Sequence, residues 1–348
     1  MKKVLFFLIL ALILSCKNES EKIFNGELII VKNEPKMESL TGKHIEFDEI
    51  YTGQMFVYDS LIVFSSDKYG DYYSRVFNLN TGRQINSVIK IGQGPGEQVS
   101  VHCEAEYYVD TAINLWYYDG FHKKHGLLVN LKNNCIIDSI DFSGLPNDHQ
   151  ILTRFFILND SLLLAWNQQK QLSGDNTAAP PLWSLFNYKT NEKLRQYDVF
   201  NDFKYYSTQF CLGSSDIIKT DKTKFAIIMN YLRQINIIDI KTGEIKGFRF
   251  KNSPDFTTVA NAHYTDLKEY YIRACADDNF IYAAMPEGQN TVVDVFDWSG
   301  NYLKKLVFDK NIGESNIALD HVNKYLYLLT VGEEEEEAYQ YDVSYLYK

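Results

Sequence analysis

The chain has 348 residues, a formal net charge of −10 and a pI near 5.3, which argues against a nucleic-acid partner because phosphates would be repelled. Hydrophobic residues make up 45% and aromatic residues 15%, with 25 Tyr and 22 Phe, a load that favours β structure because flat rings pack on a pleated surface. With only 7 Pro and no Pro/Ser-rich stretch there is no internal linker, so the length points to one long all-β domain.

The first sixteen residues differ from the rest. Met1-Lys2-Lys3 supplies positive charge, and residues 4–14 are an unbroken apolar run of eleven. A spanning helix needs roughly 20 such residues, so the run fits the central region of a signal peptide instead. Ile13-Leu14-Ser15-Cys16 resembles the lipobox of bacterial lipoproteins. The resemblance implies cleavage before Cys16, acylation of the new N-terminus and a membrane partner reached through that lipid. Each buried CH2 would add about 0.8 kcal/mol of anchoring. The alternative is an ordinary secretory signal with an incidental Cys. Residues 17–21 (KNESE) form a polar tether whose acidic residues loosely resemble the surface-export signals of Bacteroidetes lipoproteins. The expected division is a signal peptide over 1–16, tether and leading strand over 17–42, and the main domain over 43–348.

Two candidate strands follow, at 23–31 and 43–51. A first four-stranded unit spans 54–91, with Asp59-Ser60 as its first turn. Unit two holds strands at 102–109, 113–118, 124–131 and 136–142. Unit three has 152–158, 162–168, 181–188 and 193–200, with a polar insert at 169–179 read as an exposed loop. Unit four has 215–220, 224–229, 234–239 and 245–250, then a long polar connection at 251–266, with a short helical turn placed at 264–271. Unit five has 271–276, 280–285, 291–297 and 302–308. Unit six has only 317–320, 325–331 and 339–343.

These units repeat one phrase, clearest in TVVDVFDWSGNYLKKLVF at 291–308: strand, turn, strand. The apolar or aromatic marker just ahead of each turn is Phe77, Val129, Phe186, Ile238, Phe296 or Tyr341, at steps of 52, 57, 52, 58 and 45 residues. A near-constant step marks a chain built by radial or linear repetition. Many strands are apolar on both faces, as in FIYAAM at 280–285, which suits sheets packed between neighbours on either side. The expectation is an all-β, six-bladed β-propeller with four-stranded blades; a solenoid β-helix has shorter repeats richer in Gly and Asn. Unit six lacks a fourth strand, so a segment near the N-terminus, 43–51, is expected to close the last blade and remove its open edge.

The phrase Gly92-Gln93-Gly94-Pro95-Gly96-Glu97, with the lipobox and the six-unit layout, resembles the TolB-like six-bladed propeller lipoproteins of Bacteroidetes, related to NHL-type propellers. The resemblance spans about residues 40–348 and implies a fold and an address in the bacterial envelope, most simply the outer membrane. It implies no site residues.

Other motifs read as structural. Gly92–Glu97 has the glycines of a phosphate loop, but a P-loop needs Lys-Ser/Thr and a helix next; here the glycines serve positive φ and Pro95 fixes φ in a blade-to-blade turn. His122 and His125 are three apart, flanking two lysines in what reads as a hairpin, a poor cation site. The carboxylate run at 333–337 lacks the alternation of a calcium loop and reads as a solvated hairpin. Cys103, Cys135, Cys211 and Cys275 are scattered through the repeats; an oxidising compartment permits disulfides, but buried thiols between blades are favoured. No nucleophile, paired catalytic carboxylates, metal ligands or cofactor-binding residues can be assigned. Glu104, Glu106, Asp216, Asp266, Asp320 and His321, near inner-strand starts, form the pool from which a channel site would be drawn. The expected function is a non-catalytic envelope binding or scaffolding module, its partner an envelope protein or a small molecule. The alternatives are a propeller hydrolase of the lactonase kind, with a cation held by converging oxygens, and a purely structural partner in a larger complex with a broad apolar patch.

Overall fold

The computed structural model describes residues 23–99, 101, 114–119, 125–145, 150–169, 182–200, 214–263, 266–312, 316–331 and 336–348. Strands form where β-branched and aromatic residues cluster between turns carrying Asn, Asp or Gly, and they fall into six sheets. Three short strands come first: β1 (Glu27–Val31), β2 (Met37–Leu40) and β3 (Lys43–Ile45). Blade 1 is β4 (Gln54–Tyr58), β5 (Leu61–Ser65), β6 (Tyr72–Asn78) and β7 (Gln84–Lys90). In blade 2, β8 (Asn114–Asp119), β9 (His125–Asn130) and β10 (Cys135–Asp141) are described, and the expected inner strand at 102–109 lies outside the described residues. Blade 3 is β11 (Gln150–Ile157), β12 (Leu162–Gln169), β13 (Leu182–Asn187) and β14 (Glu192–Tyr197). Blade 4 is β15 (Ser214–Ile218), β16 (Lys224–Met229), β17 (Gln234–Asp239) and β18 (Ile245–Phe250). Blade 5 is β19 (Arg273–Ala276), β20 (Phe280–Glu287), β21 (Asn290–Asp297) and β22 (Tyr302–Phe308), and blade 6 contributes β23 (Ile317–Leu319), β24 (Tyr325–Val331) and β25 (Glu336–Asp342).

Each blade is an antiparallel meander, and β15, β19, β23 and β4 lie side by side as inner strands. The core is divided among the gaps between blades. Phe64 and Phe77 of blade 1 pack with Tyr327 and Leu329 of blade 6 in one cluster, and five others fill the remaining gaps. Apolar matter between blades 6 and 1 is what closes a ring; an open stack would leave both surfaces wet. The fold is therefore the expected six-bladed β-propeller.

Blade 6 is completed by β3, which pairs antiparallel with β25 at Ile45–Ala338, His44–Tyr339 and Lys43–Gln340. The closing strand sits in the expected segment but stops at Ile45. Beyond it the chain turns so that Phe47 packs edge-on against Phe64 and Phe77, and Tyr51 against Phe64. The two preceding strands are also used. β1 adds to the outer edge of blade 4, parallel to β18, and β2 adds to the outer edge of blade 5, parallel to β22. Residues 23–45 thus form a strap around the outside of blades 4, 5 and 6.

The connection carries a short helix ahead of the expected 264–271, α1 (Phe256–Asn261); of the expected turn, residues 264–265 lie outside the described residues and Asp266 is in a 3-10 turn closed by its amide on the His263 carbonyl. Asp255 caps α1 by accepting the Thr258 amide at 2.7 Å, and Phe256 is driven into the core beside Phe24 and Phe200. No helix among the described residues is long and apolar enough to cross a membrane.

Candidate functional site

The two ends of the propeller differ. At one end the described hairpins are short, and all but the Asp59-Ser60 turn of blade 1 are locked by an Asn or Asp side chain. Between third and fourth strands, Asn78, Asn130, Asn187, Asp239 and Asp297 each accept one or two backbone N–H groups of the following turn, and Asp342 accepts the Ser344 amide where the chain ends. Asn159, Asp221, Asp277 and Asp320 do the same between first and second strands. At the other end lie the connections between blades, including the stretch from Lys251 to Ile272 that carries α1. Rigid scaffold with longer connections gathered at one end is the arrangement that places binding groups on loops.

Near that end a belt of polar contacts joins the inner strands. Arg154 on β11 donates to Asp216 on β15 at 2.5 Å, with the Asp216 carboxylate buried. Ser215 reaches the Ile272 carbonyl at 3.5 Å, and Arg273 on β19 donates through Nε to Asn316 at 3.0 Å. Asn316 in turn donates to the Gly53 carbonyl at 3.0 Å, while the Gly53 amide donates to Glu336 at 3.3 Å. Gly53 has φ +93, and a Cβ there would lie 2.2 Å from the Ser65 carbonyl, so only glycine fits. The belt binds blade to blade around the axis. Its members are far apart in sequence and carry no local signal, which is why Arg154, Arg273 and Asn316 escaped sequence reading and Glu336 was read only as part of a solvated carboxylate run.

The expected pool is split by the fold. Asp216 is on an inner strand and in the belt. Asp266 is exposed on the connection between blades 4 and 5, where its amide donates to the His263 carbonyl. Asp320 is fully buried, accepting the Val322 and Asn323 amides and the Asn323 side chain in the blade 6 hairpin, at the end opposite the belt. His321 follows it, its Nε2 sealed from solvent, and burial pushes its pKa below the ordinary histidine value. Asp320 and His321 are therefore corrected from channel candidates to hairpin residues. Glu104, Glu106 and His122 lie outside the described residues, as do Cys16, Cys103 and Cys211.

Beside His321, Asp277 anchors the seam between blades 5 and 6. Its carboxylate accepts the Asn279 and Phe280 amides, the Tyr347 hydroxyl at 2.6 Å and Lys324 Nζ at 3.0 Å. Burial pushes its pKa up, but the donors from Tyr347, the Phe280 amide and Lys324 outweigh that and hold it below the usual carboxylate range. The group is a structural acceptor.

The glycine phrase is a blade 1–blade 2 turn with a filled centre. Glu97 accepts the Gly94 amide at 2.9 Å and pairs with Lys90 at 3.0 Å, so the chain's own carboxylate sits where a phosphate would. Only Gly96 has positive φ, at +76. A Cβ at Gly92 would lie 2.0 Å from Glu97 Oε2, so a side chain there would displace that carboxylate from its place over the turn. Of the carboxylate run, Glu336 accepts the Gly53 amide and Glu337 accepts the Tyr339 hydroxyl at 2.5 Å; residues 333–335 lie outside the described residues. Among the described residues no three His, Cys, Asp or Glu side chains gather closely enough to hold a metal ion. Cys275 is a buried thiol, as expected, but Cys135 is exposed on β10, an outer strand with no further strand beside it among the described residues.

A cleft of about 580 Å3 opens at the locked end, between blades 6 and 1, lined among others by His44, Glu46, Asp59, Asn80, Tyr325 and Gln340. Its volume suits a small ligand, and the closing strand β3 forms one wall.

No protein-family model matches the chain, and no curated protein matches it. Solved structures do. A protein of Bacteroides fragilis NCTC 9343 described as exported superposes with a TM-score of 0.57 at 13% identity, covering 90% of this chain and 98% of its own. A member of the DUF4221 family from Bacteroides vulgatus superposes with a TM-score of 0.57 at 11% identity, covering 89% of this chain and 96% of its own. At such identities the likeness is one of fold, over nearly the full length of both neighbours.

Proposed function

We propose that the protein is a lipid-anchored propeller of the bacterial envelope, displayed from the outer membrane through Cys16, that binds a partner at the loop-bearing end of its channel and performs no chemistry on it. The observation that carries this reading is the contrast between the two ends, one locked by Asn and Asp turns and the other bearing the blade connections. Among the described residues, the inner-strand charges Arg154 and Asp216 pair with each other, as structural charges do. The leader, its lipobox and the fold it shares with an exported protein of Bacteroides fragilis support the envelope address.

Two measurements test the reading. Expressed with its own leader, the protein should incorporate labelled fatty acid and partition with membranes, and Cys16→Ser should abolish both; a soluble, unlabelled wild-type protein contradicts the anchor. The purified domain should carry no stoichiometric metal, and chelator should leave its Tm unchanged. A tightly held cation whose removal lowers Tm would replace the binding reading by the hydrolase one.

A further inference from the structure

We propose that the side of the propeller turned towards the lipid surface is the rim of blades 3 and 4, beside which the tether joins the ring; this rests on the acylation of Cys16 proposed above. The argument is one of chain length and of where the described chain begins. Phe24 is fixed at the outer rim: it is 4% exposed, forms a bridge with Phe200 at the end of blade 3 and stacks on Phe256. Asn25 donates its amide to the Val199 carbonyl at 3.0 Å and its side chain to the Asp198 carbonyl at 2.8 Å. From there β1 runs along the outer edge of blade 4. Only the six residues 17–22 separate Cys16 from Ile23, and fully extended they reach about 25 Å. A domain of this size is about 50 Å across, so blades 6 and 1, on the far side of the ring, cannot be the part held against the lipid.

The surface beside this exit is suited to a headgroup layer. The strap covers the outer edges of blades 4 and 5, but among the described residues β14 of blade 3 has no strand outside it. It exposes Leu194 (45%) between Lys193 and Arg195, with Glu192 at its start. One apolar side chain flanked by two cations fits an anionic lipid surface without deep insertion.

The test uses the acylated full-length protein in vesicles of phosphatidylethanolamine and phosphatidylglycerol. A photo-crosslinking amino acid replaces Leu194, or Ile85 on β7 of blade 1, which has the same 45% exposure on the opposite side of the ring. Two more positions report the ends: Val322 at the locked end and Gln289 at the other. Lipid adducts are counted by mass spectrometry, and flotation of the same sample shows whether it is membrane-bound. The expected result is flotation with several-fold more lipid adduct at Leu194 than at the other three positions. Inserting about 20 Gly/Ser residues after Lys22 should level the four, because a flexible linker of that length no longer orients the domain. Flotation with equal or greater labelling at Ile85, Val322 or Gln289 overturns the orientation alone. Failure to float overturns the anchor, and the orientation with it.

Discussion

A pair of neighbouring residues does the same work in every blade. The first is a large apolar side chain at the end of the third strand: Phe77, Val129, Phe186, Ile238, Phe296 and Tyr341 are all buried. The second is the Asn or Asp after it, whose side chain holds the turn. Their energetic weights differ. Phe296→Ala should lower unfolding free energy by about 3–5 kcal/mol, since it leaves a cavity between blades 4 and 5. Asp297→Ala, at an exposed turn, should cost about 1 kcal/mol; urea unfolding of both variants would show whether the order holds. This pair was legible in the sequence because both members are local and recur. Asp277 was not, because its partners Lys324 and Tyr347 lie 47 and 70 residues away. His321 beside it gives a pH signature. Its folded pKa is lowered by burial, so the unfolded chain takes the proton first as pH falls through about 6.5, and stability declines. Tm measured between about pH 7.5 and 5 should fall less steeply in His321→Asn than in the parent protein; an unchanged slope contradicts the assignment.

The strap is the element that gives the molecule its particular form. Its β3 segment was foreseeable, because a unit short of one strand implies a donor elsewhere. β2 was not: Met37–Leu40 alternates exposed and half-buried residues along an outer edge, so it carries little apolar pattern. β1 read as a strand, but nothing in its own residues names β18 as a parallel partner. The strap is riveted by a buried polar group. Arg233 donates to Asp294 at 2.8 Å and to Glu34 of the strap at 2.6 Å, with its guanidinium 3.7 Å over the Phe250 ring. Tyr271 and Tyr302 also donate to Asp294. Removing one member of a buried charged group leaves the others unpaired, so Arg233→Met should cost about 3–5 kcal/mol. Glu34→Gln, at a partly exposed position, should cost less than about 1 kcal/mol. Equal effects in denaturant titrations would mean that the strap, and not the blade 4–blade 5 junction, is what Arg233 holds.

At the scale of the whole molecule, the repeat step fixed the number of blades, and the length of the last unit fixed where the ring must be sewn shut. The channel belt stayed hidden for the opposite reason: the described members come one or two from a blade, and none of those contributions repeats. Closure has a mechanical consequence. A protein beginning at residue 46 loses β1, β2 and β3 and opens the edges of blades 4, 5 and 6 together, so it should aggregate or unfold with lost cooperativity, whereas one beginning at residue 23 should fold as a monomer. The pairing of the first blade-closing residues with the last blade is the point on which the ring depends. It is tested most directly by Ile45→Cys combined with Ala338→Cys, which the register places opposite each other. Mild oxidation of the monomer followed by peptide mapping should recover a link between positions 45 and 338 within one chain. Recovery of that link only between two chains, or of none under conditions that oxidise the exposed Cys135, would contradict a ring closed by its own N-terminal strand.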